Sequence, residues 1–158
     1  MQFGIGFDIH PLVAGRKLVL GGVEIIFDRG LDGWSDADVL THAIMDALLG
    51  AAAMGDIGLH FPPGKPEYRN ISSLKLLVET KKIITANGWQ INNIDATVIA
   101  EKPRLREYID IMREHLSHAL DLPLSQVSVK ASTANQVGAL GHEEAIAAMA
   151  IASIQKTN

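Results

Sequence analysis

The most constraining feature of this chain is its N-terminal run Phe3-Gly4-Ile5-Gly6-Phe7-Asp8-Ile9-His10, where apolar residues alternate with glycine and then with polar residues. Period-two alternation belongs to a strand whose two faces differ. A strand is therefore predicted over 3–9, and Gly4 and Gly6 would let another backbone come close to it. Asp8 and His10 are two residues apart, so their side chains leave the same face.

The rest of the chain interleaves strands with helices. Residues 17–20 and 23–27, separated by Gly21-Gly22, read as a hairpin. Ser35-Asp36-Ala37-Asp38 matches a capping box, which predicts a helix from there to about residue 54. Residues 55–70 hold three Pro and three Gly and read as an irregular loop. A second helix is predicted over 71–87, ended by Gly88, and a strand over 89–100. Pro103 should open a helix that runs to Leu120. A strand over 126–132 and a last helix over 143–155, with acids at its positive end, complete the pattern. This order implies an α+β (mixed α/β) fold, a sheet packed against helices, in a single domain of 158 residues.

Composition excludes several function classes. A net charge of −4 argues against a nucleic-acid partner, which usually requires a basic stripe. The absence of Cys rules out disulfides, iron–sulfur clusters and thiolate zinc sites. The alanine-rich runs 47–54 and 145–152 are far shorter than the roughly 20 residues needed to span a bilayer, so no membrane partner is expected. They suit a core helix or a subunit contact. The first residues carry no basic and apolar leader pattern, and a cytoplasmic location is expected.

Chemistry concentrates on a few side chains. His42 lies in the helix predicted to start at the capping box, with Asp38 four residues before it and Asp46 four after. Asp8, His10 and His42 make a suitable ligand set for Zn²⁺ or another divalent ion, with the fourth position open as in catalytic sites. Asp38 and Asp46 would then hold the His42 ring. Spacing alone leaves open the plainer alternative of a turn Asp, a surface His and a core His. His115 and His118 fit a solvated helix face, and His60 fits a loop position with or without a ligand contact. Gly55-Asp56-Ile57-Gly58 could grip a hydroxylated ligand such as a ribose, or could be only a turn. The strand ending in Ser132-Thr133 could present hydroxyls to a phosphate, although neither a Walker A nor a dinucleotide-binding glycine pattern is present.

Together these residues resemble the 2-C-methyl-D-erythritol 2,4-cyclodiphosphate synthase family over almost the whole chain. The resemblance rests on Gly6-Phe7-Asp8-Ile9-His10, Gly21-Gly22-Val23, Ser35-Asp36-Ala37-Asp38-Val39 with His42-Ala43 and Asp46-Ala47, Gly55-Asp56-Ile57-Gly58, Phe61-Pro62, Pro103, and Val129-Lys130-Ala131-Ser132-Thr133. It implies conversion of a CDP-linked methylerythritol 2-phosphate to the cyclic diphosphate with release of CMP. It also implies a homotrimer with active sites between subunits, zinc on Asp8, His10 and His42, and Mg²⁺ or Mn²⁺ on the diphosphate. By the same resemblance, Asp56, Ile57 and Gly58 would meet the ribose, and Ala100, Pro103, Arg104, Leu105 and Arg106 would form a cytidine pocket. Ser35 and Phe61 would be further substrate contacts, as would Asp8 and His10. Ser132 and Thr133 would hold phosphate oxygens, with Thr133 catalytic.

Several positions depart from the family pattern. Trp34 stands where a catalytic, substrate-binding His is usual, and Asn135 where a Glu is usual. Pro62-Pro63-Gly64-Lys65 occupies a stretch where acids are common. Ala139 and His142 replace the usual Phe and Arg near the threefold axis. A zinc phosphoesterase, or a substrate-binding homologue with impaired turnover, are the rival readings.

Overall fold

A computed structural model describes residues 1–157. The N-terminal alternation continues further than expected, and β1 runs Gln2–Ala14. Its odd positions Phe3, Ile5, Phe7 and Ile9 are exposed, while Gly4, Gly6, Asp8 and His10 face a helix, α1 (Val39–Ala51). The two glycines are what allow that packing. A Cβ on Gly4 would lie 2.0 Å from the Ala47 carbonyl oxygen, and one on Gly6 would lie 1.9 Å from that of Ala43. The helix backbone thus rests on the strand backbone with no side chain between them.

After β1 come the hairpin strands β2 (Leu18–Leu20) and β3 (Val23–Ile25), then β4 (Arg29–Leu31). Beyond α1 lie a one-turn helix α2 (Ile57–His60), α3 (Ser73–Ala86), β5 (Trp89–Ile99), α4 (Ile109–Leu120) and β6 (Val127–Ser132). A one-turn helix α5 (Gly138–Gly141) and β7 (Ala145–Lys156) end the described chain. The main sheet has the order β4-β1-β7-β5-β6, antiparallel except for the β5–β6 pair, which α4 connects. The core is built from α1, α3 and α4 against one face of this sheet.

Three sequence expectations fail. The helix predicted over 143–155 is β7, the central strand. Alanine favours helix in isolation, but Ile146, Ala148, Ala150, Ala152 and Ile154 alternate with exposed Met149 and Ile151, and the small residues admit α1. Helix α1 starts at Val39 rather than at Ser35, with Asp38 as its N-cap. Ala37 has φ 56°, a left-handed conformation that interrupts any earlier helical turn. Fully buried Asp38 also ties the β2–β3 turn to the helix, because its carboxylate accepts from the Gly21 and Gly22 amides at 2.9 and 2.8 Å. Finally, Pro103 does not open a helix. It follows a cis peptide bond, and Ala100, Glu101 and residues 103–106 instead line a cleft before a 3₁₀ turn (Arg106–Tyr108) leads into α4.

Candidate metal centre and substrate clefts

The close approach of α1 to β1 decides the site, because it carries His42 to the face that presents Asp8 and His10. Asp8 Oδ2 lies 2.9 Å from His42 Nδ1 and 3.0 Å from His10 Nε2. The two rings are 5.4 Å apart between centroids. Gly33 leaves room for His10, since a Cβ there would come within 3.0 Å of its ring.

The far nitrogens of both rings are held by other groups. Ser73 Oγ donates to the Asp36 carboxylate, so its lone pair accepts from His42 Nε2–H at 2.9 Å; Ser35 Oγ is 3.2 Å from the same nitrogen. His10 Nδ1–H donates to the Asp32 carbonyl. With those protons committed, His42 Nδ1 and His10 Nε2 both aim lone pairs at the Asp8 carboxylate. Three acceptors converging on one point need a cation between them, either a proton or a metal ion. A tetrahedral zinc shell sets its ligand atoms about 3.3 Å apart, a few tenths of an ångström from the distances found here. The donor set therefore fits a divalent ion.

The electrostatics agree. Partial burial would push the Asp8 carboxyl up, but the hydrogen bonds and charge of His10 and His42 hold it well below the usual range. Burial would depress His10, yet the adjacent Asp8 carboxylate raises it above 6.5. A proton shared by this pair is what a metal would displace.

Asp38 and Asp46 do not hold the His42 ring, contrary to expectation. Asp38 is spent on the helix cap, and Asp46 accepts from the Ile57 amide at 2.8 Å. Ser73 and Asp36 do that work instead. Ser73 is 31 residues from His42, and no local pattern announces the pairing. His60 holds a turn through the Met54 carbonyl, and His115 lies 3.2 Å from the Gly22 carbonyl, far from the centre.

The metal centre opens into a cleft of about 260 Å³. Trp34, Ser35, Ile57, Gly58 and Phe61 line it, and Pro63, Tyr68 and Leu76 join them. Asp56 is not in the wall; it caps α2 by accepting from the Leu59 amide. A second cleft of about 360 Å³ gathers Ala100, Pro103, Arg104, Leu105 and Arg106 with Ser132 and Thr133. The two clefts share no residue within one protomer. Asn135, Ala139 and His142 lie outside both, although the Asn135 amide oxygen accepts from Thr133 Oγ1 at 3.2 Å.

The model of the YgbB family matches residues 1–155 of this chain. The chain belongs to the YgbB family. Among its YgbB relatives, a 2-C-methyl-D-erythritol 2,4-cyclodiphosphate synthase of Dehalococcoides mccartyi is 54% identical over 156 residues, 99% of either protein. The synthase of that name from Moorella thermoacetica is 54% identical over 151 residues, covering 96% of this chain and 93% of the relative. Among solved structures, the bifunctional IspDF from Campylobacter jejuni superposes with a TM-score of 0.95 at 35% identity; the match covers 99% of this chain and 42% of the bifunctional one. The IspF–CDP complex from Plasmodium falciparum superposes at 0.86 with 31% identity, over 99% of this chain and 97% of that one. Among the described residues, no helix is long and apolar enough to cross a membrane.

Proposed function

We propose that this chain converts 4-diphosphocytidyl-2-C-methyl-D-erythritol 2-phosphate to 2-C-methyl-D-erythritol 2,4-cyclodiphosphate and CMP. One observation carries the reading: Asp8, His10 and His42 converge in a chain 54% identical to synthases of that name. In the reaction an oxygen of the 2-phosphate attacks the β-phosphorus. The bond from that phosphorus to the bridging oxygen breaks, and CMP leaves with the bridging oxygen. No water is consumed and no covalent enzyme intermediate forms, so positioning and charge stabilisation supply the rate.

Asp8, His10 and His42 would hold zinc, which supplies a Lewis acid beside the diphosphate when bound. The chain's own residues do the rest. Ala100, Pro103, Arg104, Leu105 and Arg106 receive the cytidine, and Asp56, Ile57 and Gly58 meet the ribose. Ser35 and Phe61 border the methylerythritol. Ser132 and Thr133 hold phosphate oxygens, and the Thr133 hydroxyl would turn from Asn135 to the phosphate as charge develops. Mg²⁺ or Mn²⁺ would sit on the diphosphate, with the neutral Asn135 amide oxygen in place of a carboxylate at this edge.

The working unit we propose is a homotrimer of single-domain chains in the cytoplasm. On the open face of the sheet, Ile5 pairs with Ile151 and Phe7 with Met149, and all four are exposed by 44–66%. A contiguous apolar face of this kind on a central pair of strands calls for cover, and other copies of the chain would also bring one protomer's cytidine cleft to another's metal centre. Light scattering should give three times the 17.0 kDa chain mass; a dominant 17.0 kDa species would remove this arrangement. The activity itself is tested by incubating purified protein with the CDP-linked substrate. CMP with cyclic diphosphate supports the synthase, whereas inorganic phosphate, or binding without turnover, refutes it.

A further inference from the structure

Trp34 borders the metal cleft, yet its single side-chain donor does not point into it. The indole N–H donates to the Lys65 carbonyl at 2.9 Å. The Trp34 carbonyl accepts from the Asn70 amide at 2.9 Å, and the Arg69 guanidinium lies 5.9 Å from the indole centroid. One residue therefore grips the Pro/Gly-rich loop at its middle and at its far end. Among the described residues, apart from the turn bond at its own end in which the Ile71 amide donates to the Tyr68 carbonyl at 3.3 Å, the indole bond is the one hydrogen bond joining 62–69 to the rest of the chain.

That bond holds part of the cleft wall. Pro63 and Tyr68 of this loop line the cleft together with Asp8, His10 and His42, and Tyr68 packs edge-on against Phe61 at 5.8 Å. Moving the loop would open the wall. Indole has one donor and no acceptor, so a Trp34 committed to Lys65 has nothing left to donate to a phosphate. It does have a large rigid face, which loses little entropy on ordering.

We infer that Trp34 is a positioning residue that latches the 62–69 loop over the metal cleft before substrate arrives, rather than a donor to the substrate. The inference rests on the synthase reading only for its effect on turnover. The latch preorganises the cleft wall, so substrate does not bear the cost of ordering it.

Limited trypsin digestion of the substrate-free protein reads the latch directly. Arg69–Asn70 is the one susceptible bond in the loop, because Lys65 precedes Pro66. Trp34→Phe keeps a ring and removes the donor. Cleavage at Arg69 should accelerate about 2- to 13-fold, the range for one net hydrogen bond when cutting follows the open population. Trp34→Ala should be cut faster still. In CMP-release kinetics Trp34→Phe should raise KM by a similar factor with kcat nearly retained. Unchanged cleavage in both variants would overturn the latch, as would a loss confined to kcat. If the wild-type protein releases no CMP, the synthase reading fails while the digestion still decides the latch.

Discussion

The β1–α1 corner and the edge after β6 are built in opposite ways. At the corner His42 is buried, its ring nitrogens are held by Asp8, Ser35 and Ser73, and the helix beneath it rests on glycine. At the edge Ser132, Thr133 and Asn135 are largely open, and the turn passes through left-handed Asn135 and Gln136 at φ 52° and 63°. The turn is tied from outside through the Gln136 amide, which donates to the Glu101 carboxylate at 3.3 Å; Glu143, held below its usual range by Lys102 at 3.0 Å and Arg29 at 2.9 Å, joins the residue-102 loop to β4. The corner is complete within one chain. The edge is open to its surroundings, and in the proposed trimer a neighbour would close over it.

The largest expected effect comes from breaking the approach that makes the corner. Gly6→Ala puts a methyl group 1.9 Å from a helix carbonyl that cannot rotate away. Overpacking against backbone should cost about 3 kcal/mol, the upper end of its usual range. His42 should be displaced with the helix. Denaturant melts and zinc analysis should both fall, whereas Ala139→Gly at the edge should leave both near wild type. Normal zinc content in Gly6→Ala would mean that the backbone contact does not place His42.

A narrower break is His42→Ala, which keeps the helix and removes one ligand. Two remaining ligands should lose most bound zinc and nearly all activity. Ser73 and Ser35 would lose their imidazole partner at a cost of about 1–3 kcal/mol. Full zinc occupancy in this variant, measured on purified protein, would end the assignment.

The contrast between these regions also explains what the sequence made legible. Period-two spacing and a helix position made Asp8, His10 and His42 candidates, but spacing left the plainer alternative open and the family resemblance decided between them. The glycines of β1 signalled a close backbone before any partner was known. Ser73 could not be found, since its pairing with His42 exists only once α3 packs beside α1. β7 reads as helix from its alanines alone, but that local preference is weak and the sheet overrides it; exposed Met149 and Ile151, alternating with buried neighbours, are its strand signal. The roles of Ser132 and Thr133 came through family resemblance, because two hydroxyls on an open turn specify little by themselves.

pH should separate proton from metal at the corner. Without metal, the Asp8–His10 pair stabilises the fold fully below 6.5 on the histidine side, and this is lost as pH rises through the raised His10 value. On the aspartate side the contribution is present above 3.8 and is lost as pH falls through the depressed Asp8 value. The same interaction thus acts most strongly between 3.8 and 6.5. Zinc requires the neutral imidazole, so the gain in melting temperature on adding zinc should grow as pH rises above 6.5. A zinc gain that is flat from pH 5.5 to 8.5 would show that His10 is not a ligand.

The smallest effect belongs to the edge, where one charge is tested in an open site. Asn135 offers an amide oxygen where a carboxylate would attract Mg²⁺ more strongly. Asn135→Glu adds that charge, but it also places a longer side chain on a left-handed backbone that Asn tolerates well. Asn135→Asp adds the charge and keeps a residue suited to that conformation, so the pair of variants separates the two influences. Exposed charges interact weakly, and the Mg²⁺ concentration giving half-maximal CMP release should fall only about two- to fivefold in Asn135→Asp. Zinc content should not change, because the corner lies in a different cleft of the protomer. Superimposable Mg²⁺ titrations for Asn135→Asp and wild type would place residue 135 away from the diphosphate, and the edge would then hold substrate through Ser132 and Thr133 alone.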